Sequence, residues 1–167
     1  MKLAEALSIR AELQTKVAEL KERIKASAKV LEGDEPCDNV EELCKELDEV
    51  LVQLEDLIYR INLTNVQTML DGESLTRMMA KRDVLSIRVK AMQDIVRYVS
   101  VNDTRYGRNE LKYVRTVDVS LLRKQADSYA KQYRELDMKI QSLNWTVDLI
   151  DRVSSSLFLK TSWKHPC

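Results

Sequence analysis

The sequence predicts an all-α fold: four main helices in a long antiparallel, coiled-coil-like bundle, with a short β-hairpin or extended excursion between helices 3 and 4. Three observations carry this. Only 3 Gly and 2 Pro occur in 167 residues, which argues against turn-rich sandwiches and barrels. Charged residues make up 32% of the chain and aromatics 5%, a mixture suited to solvated helices with a narrow apolar face. Apolar residues also recur at steps of three and four through most of the sequence.

Helix 1 is expected over about residues 2–31, with Ala6, Ile9, Leu13, Val17, Leu20 and Ile24 on one face. The stretch EGDEPCD ends it, Gly33 acting as C-cap and Pro36 removing a backbone donor. Helix 2, about 39–70, begins at Asn39 with Glu42 in the capping-box position. It carries Leu43, Leu47, Val50, Leu54, Leu57 and Ile61. A turn at Asp71-Gly72-Glu73-Ser74 leads to helix 3, about 74–100, through Leu75, Met78, Arg82, Leu85, Val89, Met92, Val96 and Val99. Helix 4, about 120–153 with Ser120 as N-cap, alternates strictly from Leu122, Ala126 and Tyr129 to Val147 and Ile150. Its mean spacing of about 3.5 residues implies left-handed supercoiling. Between helices 3 and 4, residues 100–119 are rich in Val, Thr and Tyr. Leu111, Tyr113, Arg115, Val117 and Val119 fall on one side of an extended chain, with 102–109 as its turn.

Residues 1–151 thus read as a single bundle domain and 152–167 as a C-terminal tail without a clear period. Helices of about 27 to 32 residues are roughly 40 to 48 Å long. Narrow stripes with leftover apolar residues such as Leu51, Ile58 and Ile95 leave surface to cover, which points to homo-oligomerisation.

No apolar run approaches the ~20 residues of a membrane span, and Glu5, Arg10 and Glu12 interrupt any signal-peptide core. A cytoplasmic location is expected, with no membrane partner. Cys37, Cys44 and Cys167 are an odd number in such a chain, which argues against a disulfide framework. Net charge is zero but uneven: residues 31–57 hold eleven acidic residues against one Lys, and 71–115 hold ten basic against six acidic. That asymmetry suits helix packing or self-association better than a grip on duplex nucleic acid.

The segment INLTNVQTMLDGESLTRMMAKRD, 61–83, places Thr64, Asn65 and Arg82 where the apolar rhythm asks for Leu or Val. Pairing about a turn centred between Glu73 and Ser74 sets Asn65 opposite Arg82 and Thr64 near Asp83. The same reasoning around the neighbouring connections brings in Glu5 and Asp137. The expectation is one buried polar layer of Glu5, Thr64, Asn65, Arg82, Asp83 and Asp137, since a buried guanidinium needs an acidic partner. Such a layer reads first as a register lock, and second as an anion or small-ligand site on Arg82 and Asn65.

Other constellations are weaker. Cys37 and Cys44, with His165 and Cys167, lack the close ligand spacing of zinc motifs, so no metal is expected. With one His, no glycine-rich phosphate loop and no G-x-S-x-G, the chain shows no catalytic set and no cofactor. The basic-aromatic cluster Arg105, Tyr106, Arg108, Lys112, Tyr113 and Arg115 is the one patch suited to stack on or grip nucleic acid. Its plainer reading, a solvated hairpin whose arginines meet the acidic helix, is preferred.

Taken together, KLAEAL, ELKERI, LEGDEP, LIYRINLTN, LT-x-x-x-A-K-R-D-x-L, KYVRTVDV and RKQADSYAKQYRELDMKIQSLNWTVDLID resemble the septicolysin-like family of small bacterial proteins of unknown function. The resemblance spans about residues 1–151. It implies an all-helical bacterial cytoplasmic protein and carries over no catalytic residue; its haemolytic label finds no membrane-inserting segment here. The sequence therefore reads as a non-enzymatic, self-associating structural or protein-interaction module, partnered by itself and by other proteins. The alternatives are nucleic-acid binding through 105–115 or a ligand site at Arg82.

Overall fold

Four runs of three-and-four spacing fold as four α-helices: α1 (Leu3–Ala28), α2 (Val40–Gln67), α3 (Leu75–Ser100) and α4 (Val119–Thr146). A two-stranded antiparallel hairpin, β1 (Met69–Leu70) and β2 (Glu73–Ser74), joins α2 to α3. The structure, a computed structural model, describes residues 1–101 and 114–151. The described residues divide into two compact units, one built from 1–68 with 144–151, the other from 69–101 with 114–143.

In the first unit α1 and α2 pack antiparallel. The α1 seam is Leu3, Ala6, Arg10, Leu13, Val17, Leu20, Ile24 and Ser27, a strict alternation of three and four, and Leu20 clusters with Leu43 and Val50. This corrects the expected seam: Ile9 is exposed, and Arg10 takes its place because only that register continues back to buried Leu3 and Ala6. Ion pairs brace the hairpin: Arg23 grips Asp38 through two hydrogen bonds (3.2 and 2.9 Å), and Lys16 meets Glu46 at 2.8 Å. The Arg23 hydrogen bonds hold the Asp38 carboxyl below its ordinary range, as Lys16 does for Glu46.

Helix α1 stops at Ala28, three residues short of expectation. The seam ends at Ser27, and Val30 and Leu31 beyond it stay exposed, so no burial rewards another turn. Gly33 does not cap the helix; it sits in the following turn at φ +97°. Asn39 caps α2, its side chain accepting from Glu41 N (3.0 Å) and Glu42 N (3.4 Å).

A larger correction concerns the end of helix 4, expected to run to 153. Helix α4 ends at Thr146, and residues 147–151 run extended alongside the N-terminus. Leu3 N donates to Val147 O and Leu149 N to Met1 O, both at 2.9 Å, forming an antiparallel bridge between Lys2 and Asp148. Leu149 is thereby buried in a unit whose core also holds Leu3, Ala6, Leu57 and Ile61.

In the second unit, Asp71 (φ +53°) and Gly72 (φ +82°) make the two-residue loop of the β-hairpin. Positive φ at both positions is what a type I′ turn requires, and Asp-Gly supplies it at low cost. Ser74 then caps α3 by accepting from Arg77 N at 3.2 Å. The β-hairpin thus lies between α2 and α3. Of the excursion expected over 100–119, residues 102–113 lie outside the described residues, and 114–118 form no strand. Helix α4 is capped by Asp118, not Ser120: Asp118 Oδ1 accepts from Ser120 N (2.7 Å) and Leu121 N (3.2 Å), a stronger acceptor two residues earlier.

Helices α3 and α4 run antiparallel, with Arg123 donating to Ser100 Oγ (3.1 Å) and the Arg88 guanidinium 5.0 Å above the Tyr129 ring. Among the described residues of this unit, Leu75, Met78, Ala126 and Ile140 are the buried apolar ones, while Leu85, Val89, Met92, Val96, Tyr133 and Leu136 are half-buried.

One stability test follows from the α1 seam. Ser27 is buried, and its hydroxyl has no hydrogen-bond partner among the described residues. Replacing it with Ala removes an unsatisfied polar group, so Ser27→Ala should leave stability unchanged or raise it by up to about 1 kcal/mol in urea unfolding. A loss of that size would mean the hydroxyl has a partner.

Candidate functional site

Thr64 and Arg60 lie one turn apart on α2 and converge on the extended segment after α4. Thr64 is fully buried; its Oγ1 donates to Arg60 O at 2.8 Å and accepts from Ile150 N at 3.0 Å. Bonding to the carbonyl four residues back is available to threonine in a helix and fixes its rotamer. Arg60 completes the arrangement. Its Nε donates to Ile150 O (3.0 Å), its Nη2 to Asp151 Oδ1 (2.9 Å), and Asp56 lies 3.8 Å from its Nη1. Both peptide groups of Ile150 are therefore held by side chains of α2.

Lys2 works at the same end of the unit. Its Nζ donates to Thr146 O, the last residue of α4, at 3.0 Å and pairs with Asp148 at 2.9 Å. A cation there suits the negative end of the helix. The hydrogen bond from Lys2, and then its charge, hold the Asp148 carboxyl below its ordinary range. Chemically, this cluster is a clasp that orders backbone. The Thr64 hydroxyl is engaged as donor and acceptor, and the Arg60 fork is filled by a carbonyl and two carboxylates.

The six residues expected in one layer are divided between the units. Thr64 and Asn65 are buried in the first. Glu5 is also there but exposed, a correction: its carboxylate accepts from Lys2 N at 2.7 Å, capping the N-terminus of α1 where the helix dipole favours it. Arg82, Asp83 and Asp137 belong to the second unit. Arg82 Nε and Nη2 donate to Asp83 Oδ1 (3.1 and 2.8 Å), and its Nη1 lies 3.6 Å from Asp137 Oδ1. The guanidinium is half-buried, and the Asp83 hydrogen bond, then the Asp83 and Asp137 charges, raise its pKa against the opposing cost of burial. Asp83 itself is exposed, again a correction, because it is next to Arg82 in sequence and points off the seam.

Of the basic-aromatic cluster, Arg105, Tyr106, Arg108, Lys112 and Tyr113 lie outside the described residues. Arg115 is engaged at the C-terminus of α3, donating to Val99 O (2.8 Å) and Ser100 O (3.3 Å). Cys37 and Cys44 are exposed free thiols, while His165 and Cys167 lie outside the described residues. No group of three or more metal-ligating side chains occurs among the described residues.

Sequence reasoning missed Arg60. The signal was present: it is three residues after Leu57 and four before Thr64, on the same helical face as two positions that are buried.

The model of a family described as a family of unknown function, DUF6847, matches residues 10–149. The chain belongs to that family. The matched span includes Arg60 and Thr64 of the clasp and the Arg82 cluster. This DUF6847 chain is also similar to a crystal structure of a functionally unknown conserved protein from Corynebacterium diphtheriae. The two are 41% identical with a TM-score of 0.81, over 90% of this chain and 99% of that one. No curated protein matches the chain.

Two measurements test the clasp. Thr64→Val keeps the shape and removes the hydroxyl, leaving the Ile150 amide without its acceptor. It should cost about 1 to 3 kcal/mol and speed hydrogen exchange at Ile150, whereas Thr64→Ser should retain most of the stability. The second concerns pH. With its folded pKa depressed, Asp148 contributes stability that is present above its ordinary value of about 3.9 and lost as pH falls through the folded value. In Lys2→Met, the Asp148 carboxyl should titrate higher by NMR and the acid dependence of stability should shrink.

Proposed function

We propose that this protein is a non-enzymatic, self-associating helical module acting in the cytoplasm, where it serves as a structural or protein-interaction element. The observation that carries this reading is the apolar surface left uncovered at helical spacing: Val52, Tyr59 and Val66 on α2, Val84, Ile87 and Tyr98 on α3, and Met138 and Trp145 on α4 are all exposed. Large exposed apolar residues in patches mark interaction sites. The half-buried seam between α3 and α4 adds to it. A groove of about 720 Å³ beside that seam, lined by Leu70, Met78, Leu85, Leu136 and Met138 among others, is open and largely apolar.

The polar clusters support a non-enzymatic role. Thr64, Arg60 and Arg82 are each engaged in ordering the chain, and no residue pair among them has the nucleophile-and-base form. Exposed free Cys37 and Cys44 suit a reducing compartment. No helix among the described residues is long and apolar enough to cross a membrane. The resemblance to septicolysin-like proteins adds no activity to this reading, and engagement of Arg115 at α3 takes one cation from the nucleic-acid alternative.

Light scattering coupled to size-exclusion chromatography tests the proposal directly. The expected result is a mass at least twice that of the 167-residue chain at micromolar concentration. A strictly monomeric mass across that range rejects self-association.

A further inference from the structure

Helix α3 carries a second apolar stripe, turned roughly 130° from its seam with α4 at 100° per residue. It consists of Val84, Ile87, Ala91, Ile95 and Tyr98, every one exposed, with Ile87 at 68% and Tyr98 at 79% relative accessibility. The intervals are three, four, four and three, so the pattern reads the same in both chain directions about Ala91. A stripe with that symmetry is complementary to its own reverse: Ile87 meets Ile95, Val84 meets Tyr98, and the small Ala91 meets itself where the helices cross.

The charged edge beside the stripe has the same property. Asp83, Lys90, Asp94 and Arg97 lie along one side of it. Reversing the helix about Ala91 brings Arg97 of a copy within two residues of Asp83, and Lys90 within two residues of Asp94, about 3 Å of axial rise in each case. Opposite charges therefore face each other at the outer level, and at the centre the two Lys90 side chains, themselves two residues apart, are flanked on either side by the two Asp94 carboxylates. Asp94 and Arg97, which now pair within one chain at 3.5 Å, are both strongly exposed and free to exchange partners. On the other edge, Arg88 lies over Tyr129 and would stand about 9 Å along the axis from its copy, so like charges are not forced together.

We infer that this α3 stripe is the self-association surface, occupied by the same stripe of a second copy in an antiparallel, two-fold pair centred on Ala91. The inference rests on the self-association reading and specifies its surface and register. A two-fold interface uses one patch twice, and a patch that is its own complement in shape and charge meets that requirement.

The test uses the full-length protein and three species compared by light scattering, with circular dichroism reporting helix content. Wild type is expected to be dimeric. Ile87→Lys puts a charge opposite Ile95 of the copy and should weaken the dimer by about tenfold or more, with helix content unchanged because the site is exposed. Ile87→Lys combined with Ile95→Glu should restore the dimer, since the antiparallel register sets each new charge against its opposite on the other copy. A dimer that survives Ile87→Lys places self-association on another surface and overturns this inference while the broader reading stands. A double variant that stays monomeric overturns the antiparallel register. A monomeric wild type, with the stripe instead binding a different protein, overturns both.

Discussion

The hydroxyl of Thr64 is a small group on which much of the first unit depends. A buried threonine in a helix must place its polar atom somewhere, and here it bonds to Arg60 O and Ile150 N. With Arg60 holding the carbonyl of the same residue, both backbone groups of Ile150 are partnered in an extended segment that has no sheet to join. That lets Leu149 enter the core and lets Met1 to Leu3 pair with residues 147–149. Burial of Leu3, Leu57 and Ile61, about 1.5 to 3 kcal/mol for each large side chain, proceeds beside groups already satisfied. A leucine at 64 would fill the volume and leave the Ile150 amide orphaned.

The two units handle polar interruptions differently. In the first, Thr64 and Arg60 are drawn into backbone hydrogen bonding and are well shielded. In the second, Arg82 keeps partial contact with solvent and meets one adjacent carboxylate and one from α4. The second arrangement tolerates a charge in the seam because the seam is only half-buried. The same open packing accounts for the grooves along α3 and α4 and for the weight that surface interactions carry in that unit.

Much of this was legible in the sequence where a local rule decides the outcome. Asn39 is a helix cap with a short acceptor in place, and Asp71-Gly72 names its own turn. All four helices follow from three-and-four spacing. What the spacing could not reveal is where a helix stops when the pattern continues. Val147 and Ile150 fit the α4 heptad perfectly, yet tertiary bonds from Leu3 and Thr64 claim their backbone groups. Ile9 and Arg10 show a related weakness: adjacent residues satisfy nearly the same period, and the choice between them depends on Leu3 and Ala6 being buried. The polar layer drawn from residue pairing grouped side chains by height along a helix. Glu5 and Asp83 show that height without facing direction does not put a residue inside.

The first unit is assembled from residues 1–68 and 144–151, with the second inserted between them in sequence. During synthesis, α1 and α2 emerge together and can pair through Leu20, Leu43 and Val50 at once. Ile150 lies 86 residues beyond Thr64. At about 5 to 20 residues per second, the ribosome needs roughly 4 to 17 s to deliver it. For that interval Leu3, Ala6 and Thr64 lack their final covering, and a nascent chain carries a half-finished surface while all of α3 and α4 are still being made. The discontinuous build of this unit thus sets a minimum waiting time, fixed by the order of segments along the chain rather than by any folding barrier.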